Sequence, residues 1–463
     1  MKSLQDNCGI FCVYSKDECV HEIYHGIDFL QHRGQEYCGI ATYDSSSGGI
    51  RQVTHYGKVG AFTNADLEYL KGTWGIGHVS LWERQPVQWK SQLGEIAVAF
   101  SGNILNAETL IKDMKNRGKA FYHGYNVEIL SKVIMEEQDV VAGIRALSEK
   151  IKGAYSLVVL TKEGVYAARD VYGFRPLMLG QGPGRYVVSS ESRAIQNLEM
   201  EVIRDVRPGE IVLINDKGFQ TLEELESPRT AHCAFEWAYT ASLDSIIEGL
   251  HVQEARNRLG VSLAQRDIEE GGLEADIVAA VPMSGIGHAL GYHRLSKVNY
   301  QEVFLYNRYA DRSYTQSNQL ARERMAKRKL SVLQYAISGQ RVVLCDDSIV
   351  RGTQILYKVL DLKGAGAREV HVRIACPPLM YPCDFGISTR SYEELAARQY
   401  FKKGDITSME QLKELEALIA KQIGADSVKY NSLDAFTSAL GMSGQQLCLK
   451  CFDGIDPTTS HSS

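Results

Sequence analysis

The chain has 463 residues, more than one hydrophobic core normally serves, so two domains of ordinary size are expected. Hydrophobic residues make up 44% and charged residues 23%, the balance of a globular protein, and a formal net charge of −5 argues against a nucleic-acid binder, which would carry a basic face. No run approaches the roughly 18 apolar residues of a membrane span, and the polar start Met1 to Asn7 lacks a signal-peptide core, so a cytoplasmic protein without a membrane partner is expected.

In chain order, short β-like runs come first: Gly39 to Thr42, Ile96 to Phe100 and Ala154 to Leu160. Helical spacing lies between them at Ala107 to Lys115 and Val127 to Glu136. The polar stretch Glu223 to Thr230, which contains Pro228, is the expected linker. From Ala275 onward apolar strands alternate with helical segments, at Ala275 to Ala280, Arg341 to Leu344 and Glu369 to Ala375. That alternation argues for a parallel sheet with helices on its faces and ligands at the carboxyl ends of its strands. The tail after Pro457 is small and polar and is expected to be disordered. Ten cysteines without a secretory signal point to catalysis or metal rather than to a disulfide framework.

The run Arg341 to Thr353 joins a buried strand, the carboxylates Asp346 and Asp347, and a loop, Ser348 to Thr353, ahead of a helical segment at Gln354 to Leu360. Backbone N–H groups, two hydroxyls and Gly352 suit a phosphate at the helix N-terminus. Two carboxylates beside such a loop suit ribose hydroxyls and a hydrated Mg²⁺. An acidic dipeptide alone is more often a plain strand-to-helix connection, so the whole run carries the reading.

This run resembles the phosphoribosyl pyrophosphate (PRPP) signature of type I phosphoribosyltransferases, in the form seen in the glutamine PRPP amidotransferases. Further motifs follow in order: Cys8-Gly9-Ile10-Phe11, Leu30 to Glu36, Gly75 to Val79, Gly153 to Leu157, Arg169 to Leu177, Arg204 to Glu210, Asn307-Arg308-Tyr309 and Pro377 to Cys383. The resemblance implies an N-terminal-nucleophile (Ntn) amidotransferase αββα sandwich at 8–228, followed at 229–463 by a type I phosphoribosyltransferase parallel α/β sheet with a C-terminal cluster-binding segment. The family reaction turns PRPP and glutamine into 5-phosphoribosylamine, glutamate and pyrophosphate, a step of purine synthesis. By the same resemblance Asp346, Asp347 and Ser284 attend the Mg²⁺, Ser348, Ile349, Val350, Arg351, Gly352 and Thr353 hold the 5'-phosphate, and Arg308, Arg312 and Lys329 contact phosphates. A homo-oligomer is also expected.

Cys8 is the expected nucleophile. In an N-terminal nucleophile the freed α-amine is the base, so removal of Met1 to Asn7 as a propeptide is required. Gly102 is assigned to the oxyanion site. Cys233, Cys383, Cys448 and Cys451 form a second constellation. Their flanks match family members that carry a four-iron four-sulfur (4Fe-4S) cluster, which takes four thiolates; tetrahedral zinc is the alternative. The basic run Arg322 to Lys329 reads either as a solvated helix face or as a loop that closes over PRPP.

Three places depart from glutamine-using relatives. Ser80 stands where an Arg would hold the substrate carboxylate, Asn126 where an Asp would pair its ammonium, and Ser101 where an Asn would support the oxyanion. Arg84 is a candidate stand-in for the missing Arg. The expected activity is therefore phosphoribosyl transfer with glutaminase weakened or lost, and ammonia as a nitrogen source. A non-catalytic regulator that senses PRPP or a cluster is the alternative.

Overall fold

A computed structural model of the chain describes residues 8–306, 330–386, 389 and 391–459. Met1 to Asn7, Arg308, Arg312 and the whole basic run Arg322 to Lys329 lie outside the described residues.

The first part holds strands β1 (Gly9–Ser15), β2 (Tyr37–Asp44), β3 (Gly49–Tyr56), β4 (Trp74–Ser80), β5 (Val87–Ser91), β6 (Gly94–Ile104), β7 (Gly153–Thr161), β8 (Gly164–Arg169), β9 (Met178–Gly182), β10 (Arg185–Ser189), β11 (Glu201–Asp205), β12 (Glu210–Asn215) and β13 (Gly218–Glu224). They form two antiparallel sheets, in the orders β11-β9-β10-β1-β4-β2-β3 and β13-β12-β8-β7-β6-β5. Strand alternation explains how they stack. In β1, Ile10 and Cys12 join Ala97, Ala99 and Val158 between the sheets, while Phe11 and Val13 turn to Ile23 and Ile27 of the helix Val20–Phe29. In β6, Ile96, Val98 and Phe100 turn the other way, onto Val127, Leu130 and Ile144 of the helices Asn126–Met135 and Val140–Lys150. The result is a four-layer αββα sandwich. Because both faces of each central strand are covered, runs such as Ile96 to Phe100 are apolar throughout instead of alternating.

The expected linker is corrected at its start. Strand β13 runs to Glu224, at the edge of its sheet, and Glu223 is fixed there by two bonds from Arg145, at 2.8 and 2.6 Å. Charged side chains belong on an edge strand, so a polar run did not mean a loop. Two-residue strands β14 (His232–Cys233), β15 (Ile246–Ile247) and β16 (Leu250–His251) follow.

The second part is built on β17 (Ile277–Ala280), β18 (Asn299–Tyr300), β21 (Arg341–Asp346), β22 (Glu369–Ile374) and β23 (Ser427–Tyr430), with a hairpin of β19 (Phe304–Tyr306) and β20 (Leu330–Val332) beside it. The sheet order is β18-β17-β21-β22-β23, all parallel. Helices Val252–Glu269 and Ile286–Ser296 cover one face through Leu263, Ala264, Ala289 and Tyr292. Helices Thr353–Gly364 and Met409–Ile423 cover the other through Ile355, Val359, Leu412 and Leu415. The expected disorder after Pro457 does not extend to residues 457–459, where the Thr459 N–H closes a turn on the Asp456 carbonyl.

The two parts meet across a charged seam whose Arg33, Glu191, Glu236 and Arg175 side chains are buried. Arg33, 1% exposed, donates to Glu191 and, at 2.6 Å, to Glu236. Glu191 also accepts from the Ser245 hydroxyl at 2.7 Å and from the Ser242 N–H at 2.9 Å, and Arg175 lies 3.0 Å from Glu236. β14 pairs in parallel with β24 (Leu447–Cys448), so the segment after the linker is tied to the C-terminal end of the chain.

Candidate active site

β21 ends on Asp346, and the chain then turns through residues 347–352 into the helix Thr353–Gly364. Both carboxylates are 5% exposed. Asp346 accepts at Oδ1 from the Ser284 hydroxyl, at 2.6 Å, and from the Asp347 N–H, at 3.0 Å. Its Oδ2 lies 3.4 Å from Lys358 Nζ. Asp347 accepts from its neighbour Ser348 Oγ at 2.6 Å, and burial, then the adjacent Asp346 charge, push its carboxyl up to about 8. A buried carboxylate in that condition gains from any cation brought to it.

Gly352 has φ of 79°, in the left-handed region that favours glycine, which lets the loop turn directly into the helix. Among the described residues, no backbone N–H from Ile349 to Ile355 donates to another part of the chain. That leaves a row of donors at a helix N-terminus, suited to an anion with several oxygens. The loop is held from behind, since the Ala396 N–H donates to the Val350 carbonyl at 2.7 Å and Arg351 reaches Glu394 at 3.0 Å.

The first domain brings Cys8, Ser80, Ser101, Gly102 and Asn126 together at the ends of β1, β4 and β6 and the start of the helix Asn126–Met135. Cys8 is fully buried, and its carbonyl accepts from Ser101 Oγ at 3.1 Å. At Gly102, φ of 151° and an ideal Cβ only 1.9 Å from the Ala154 carbonyl oxygen admit no side chain. Ser80 and Asn126 are joined by a residue that the sequence did not single out. Glu83, 7% exposed, accepts from the N–H groups of Asn126 at 2.8 Å and Val127 at 3.2 Å and from Gln85 Nε2 at 3.3 Å, while Ser80 Oγ donates to its carbonyl. A carboxylate on the first N–H groups of a helix is well placed. Arg84 does not turn inward as a stand-in, because its guanidinium donates to the Thr54 carbonyl on the exposed side.

Among the cysteines, Cys233 and Cys448 are register partners on β14 and β24, and the Met380 and Tyr381 N–H groups donate to the Cys451 carbonyl, which brings the Cys383 loop alongside. All are free thiols. Burial raises Cys233 to about 12, and burial, then the neighbouring cysteines, raise Cys448 and Cys451 well above the ordinary thiol range. Among the described residues no three His, Cys, Asp or Glu side chains are close enough to hold a metal ion as they stand. The four cysteines nonetheless lie near enough that ionising one would disfavour ionising the next, and four thiolates are the donor set that iron–sulfur clusters take. This group lies against the first domain, where Asn103 Nδ2 donates to the Asp384 carbonyl at 2.7 Å and Phe174 stacks on Phe385 at 4.2 Å.

Fold and sites together define a two-part protein, an Ntn-type amidotransferase sandwich joined to a phosphoribosyltransferase-type parallel sheet. A glutamine amidotransferase domain family matches residues 79–197. An amidophosphoribosyltransferase of Archaeoglobus fulgidus is 38% identical over 98% of both chains, and that of Bacillus subtilis is 35% identical over 99% of this chain and 95% of its own. A solved structure described as glutamine PRPP amidotransferase from B. subtilis complexed with ADP and GMP superposes with a TM-score of 0.87, at 35% identity and 98% coverage of both chains. The chain belongs to the amidophosphoribosyltransferase family. Among the described residues no helix is long and apolar enough to cross a membrane.

Proposed function

We propose that the protein transfers the phosphoribosyl group of PRPP to ammonia, forming 5-phosphoribosylamine and pyrophosphate in purine synthesis, with its own glutaminase site weakened. The observation that supports this most is the contrast between the two sites. The acidic pair stands beside a row of N–H donors that bond no other described residue, whereas in the first domain the N–H groups at the start of the helix Asn126–Met135 are taken by Glu83. In this reading 8–228 is the amidotransferase domain, 229–463 the phosphoribosyltransferase domain with its C-terminal cluster segment, residues 1–7 a propeptide, and the chain a cytoplasmic homo-oligomer.

Asp346 and Asp347, with Ser284 beside them, would hold Mg²⁺ and the ribose hydroxyls, and the bound ion would offset charge on the departing pyrophosphate. The N–H groups from Ile349 to Thr353 would take the 5'-phosphate and so fix the ribose. Burial of the pair keeps water from competing for these contacts. Pyrophosphate release should be supported by ammonia at high pH, and glutamine should add little over neither nitrogen source. Binding of PRPP without turnover under any of the three conditions would favour a regulator instead.

Cys233, Cys383, Cys448 and Cys451 would carry a 4Fe-4S cluster. Anaerobically purified protein should be brown, with about four irons per chain. Colourless protein with stoichiometric zinc would assign the site to the rival metal.

A further inference from the structure

The acidic pair has a companion that no signature assigns. Lys358 is the sixth residue of the helix Thr353–Gly364, and its side chain is only 12% exposed. A lysine this far buried needs a partner for its charge. Asp346 is that partner, with Oδ2 3.4 Å from the ammonium. Its other oxygen is already taken by Ser284 and by the Asp347 N–H. Asp347 has no ion-pair partner among the described residues: the nearby Arg256 acts on it only through its charge, with its guanidinium bonded to the carbonyls of Trp237, Tyr239 and Ala241, at 2.7 to 2.9 Å.

We propose that Lys358 is the resident counter-ion of the acidic pair, competing with free divalent metal for Asp346 so that the metal enters together with PRPP. The negative charge of the acidic pair would otherwise be open to any passing cation, and Lys358 offsets one unit of it at Asp346. When PRPP brings its phosphates to the loop, the same ammonium is released toward an incoming anion. Lys358 then sits behind the row of N–H donors as a further positive charge. The inference rests on the phosphoribosyl reading for its substrate half, while the competition for Asp346 stands on the geometry of the pair.

Mn²⁺ is a suitable probe, with binding followed by electron paramagnetic resonance on the full-length protein in the absence and presence of PRPP. Without PRPP, Lys358→Met should bind Mn²⁺ about tenfold more tightly than wild type, the order expected from removing one unit charge a few ångströms away at a partly buried site. Lys358→Arg should stay close to wild type, which separates charge from a general disturbance of the helix. With PRPP the gap between wild type and Lys358→Met should narrow. Equal Mn²⁺ affinity of wild type and Lys358→Met without PRPP would overturn the counter-ion role. Mn²⁺ uptake indifferent to PRPP in every variant would instead sink the phosphoribosyl reading, and the comparison without PRPP would still decide what Lys358 does.

Discussion

Given glutamine together with PRPP and Mg²⁺, the protein should release glutamate far more slowly than an ordinary enzyme, well under about 1 s⁻¹. A zwitterionic amino acid entering the first domain needs a cation for its carboxylate and an anion for its ammonium. Ser80 provides no cation, and its hydroxyl is engaged with the Glu83 carbonyl. The N–H groups at the start of the helix Asn126–Met135 are already bound to the Glu83 carboxylate, which would also repel a substrate carboxylate. The oxyanion side is weakened in the same direction. Gly102 keeps its backbone, but Ser101 donates to the Cys8 carbonyl, and loss of one oxyanion donor costs on the order of 10²–10³ in rate. Glutamate release at an ordinary rate, abolished by Cys8→Ala, would restore a conventional glutamine-dependent enzyme. Measuring it with PRPP present matters, since the two domains are tied through Asn103 and Asp384.

Replacing Asp347 by Ala should weaken binding of PRPP with Mg²⁺ by a few kcal/mol, roughly a hundredfold or more, the usual penalty for removing one partner of a desolvated charged contact. The carboxylate is 5% exposed and already strained by its neighbour, so the bound cation is its natural compensation. Titration calorimetry at fixed ionic strength reads the effect. An unchanged affinity, or wild type without any Mg²⁺-dependent heat, would remove the acidic pair from the substrate site.

The phosphoribosyl half was largely legible in the sequence. Strand, acidic pair, loop and helix are contiguous there, so Val342 to Leu360 carry their own geometry along the chain. The αββα arrangement was accessible only through resemblance. Apolar runs buried on both faces lose the alternation that would have assigned Ile96 and Ala97 to opposite layers. Side chains acting from a distance were missed for a different reason. Glu83 lies in a loop whose polar residues look solvent-facing, and nothing local says that its carboxylate caps a helix 43 positions later. Lys358 follows the helix pattern of an exposed lysine, and only the fold turns it toward Asp346. The cysteines were grouped in the sequence by their flanks alone, and β14 with β24 explains how residues 233 and 448 meet without sequence proximity.

The seam of Arg33, Glu191, Glu236 and Arg175 has a bearing on how the molecule divides. A polar connection after β13 invites a cut there, as though each half were self-sufficient. Yet the acid for Arg33 comes from both sides of that cut, and the hydroxyl that completes Glu191 belongs to Ser245. Separating the halves would strand buried ions that were never given water as an alternative, at a cost of about 3–5 kcal/mol for each broken pair. A chain cut at this connection should therefore yield halves less stable than the whole, which thermal unfolding of the two pieces against the full chain would read.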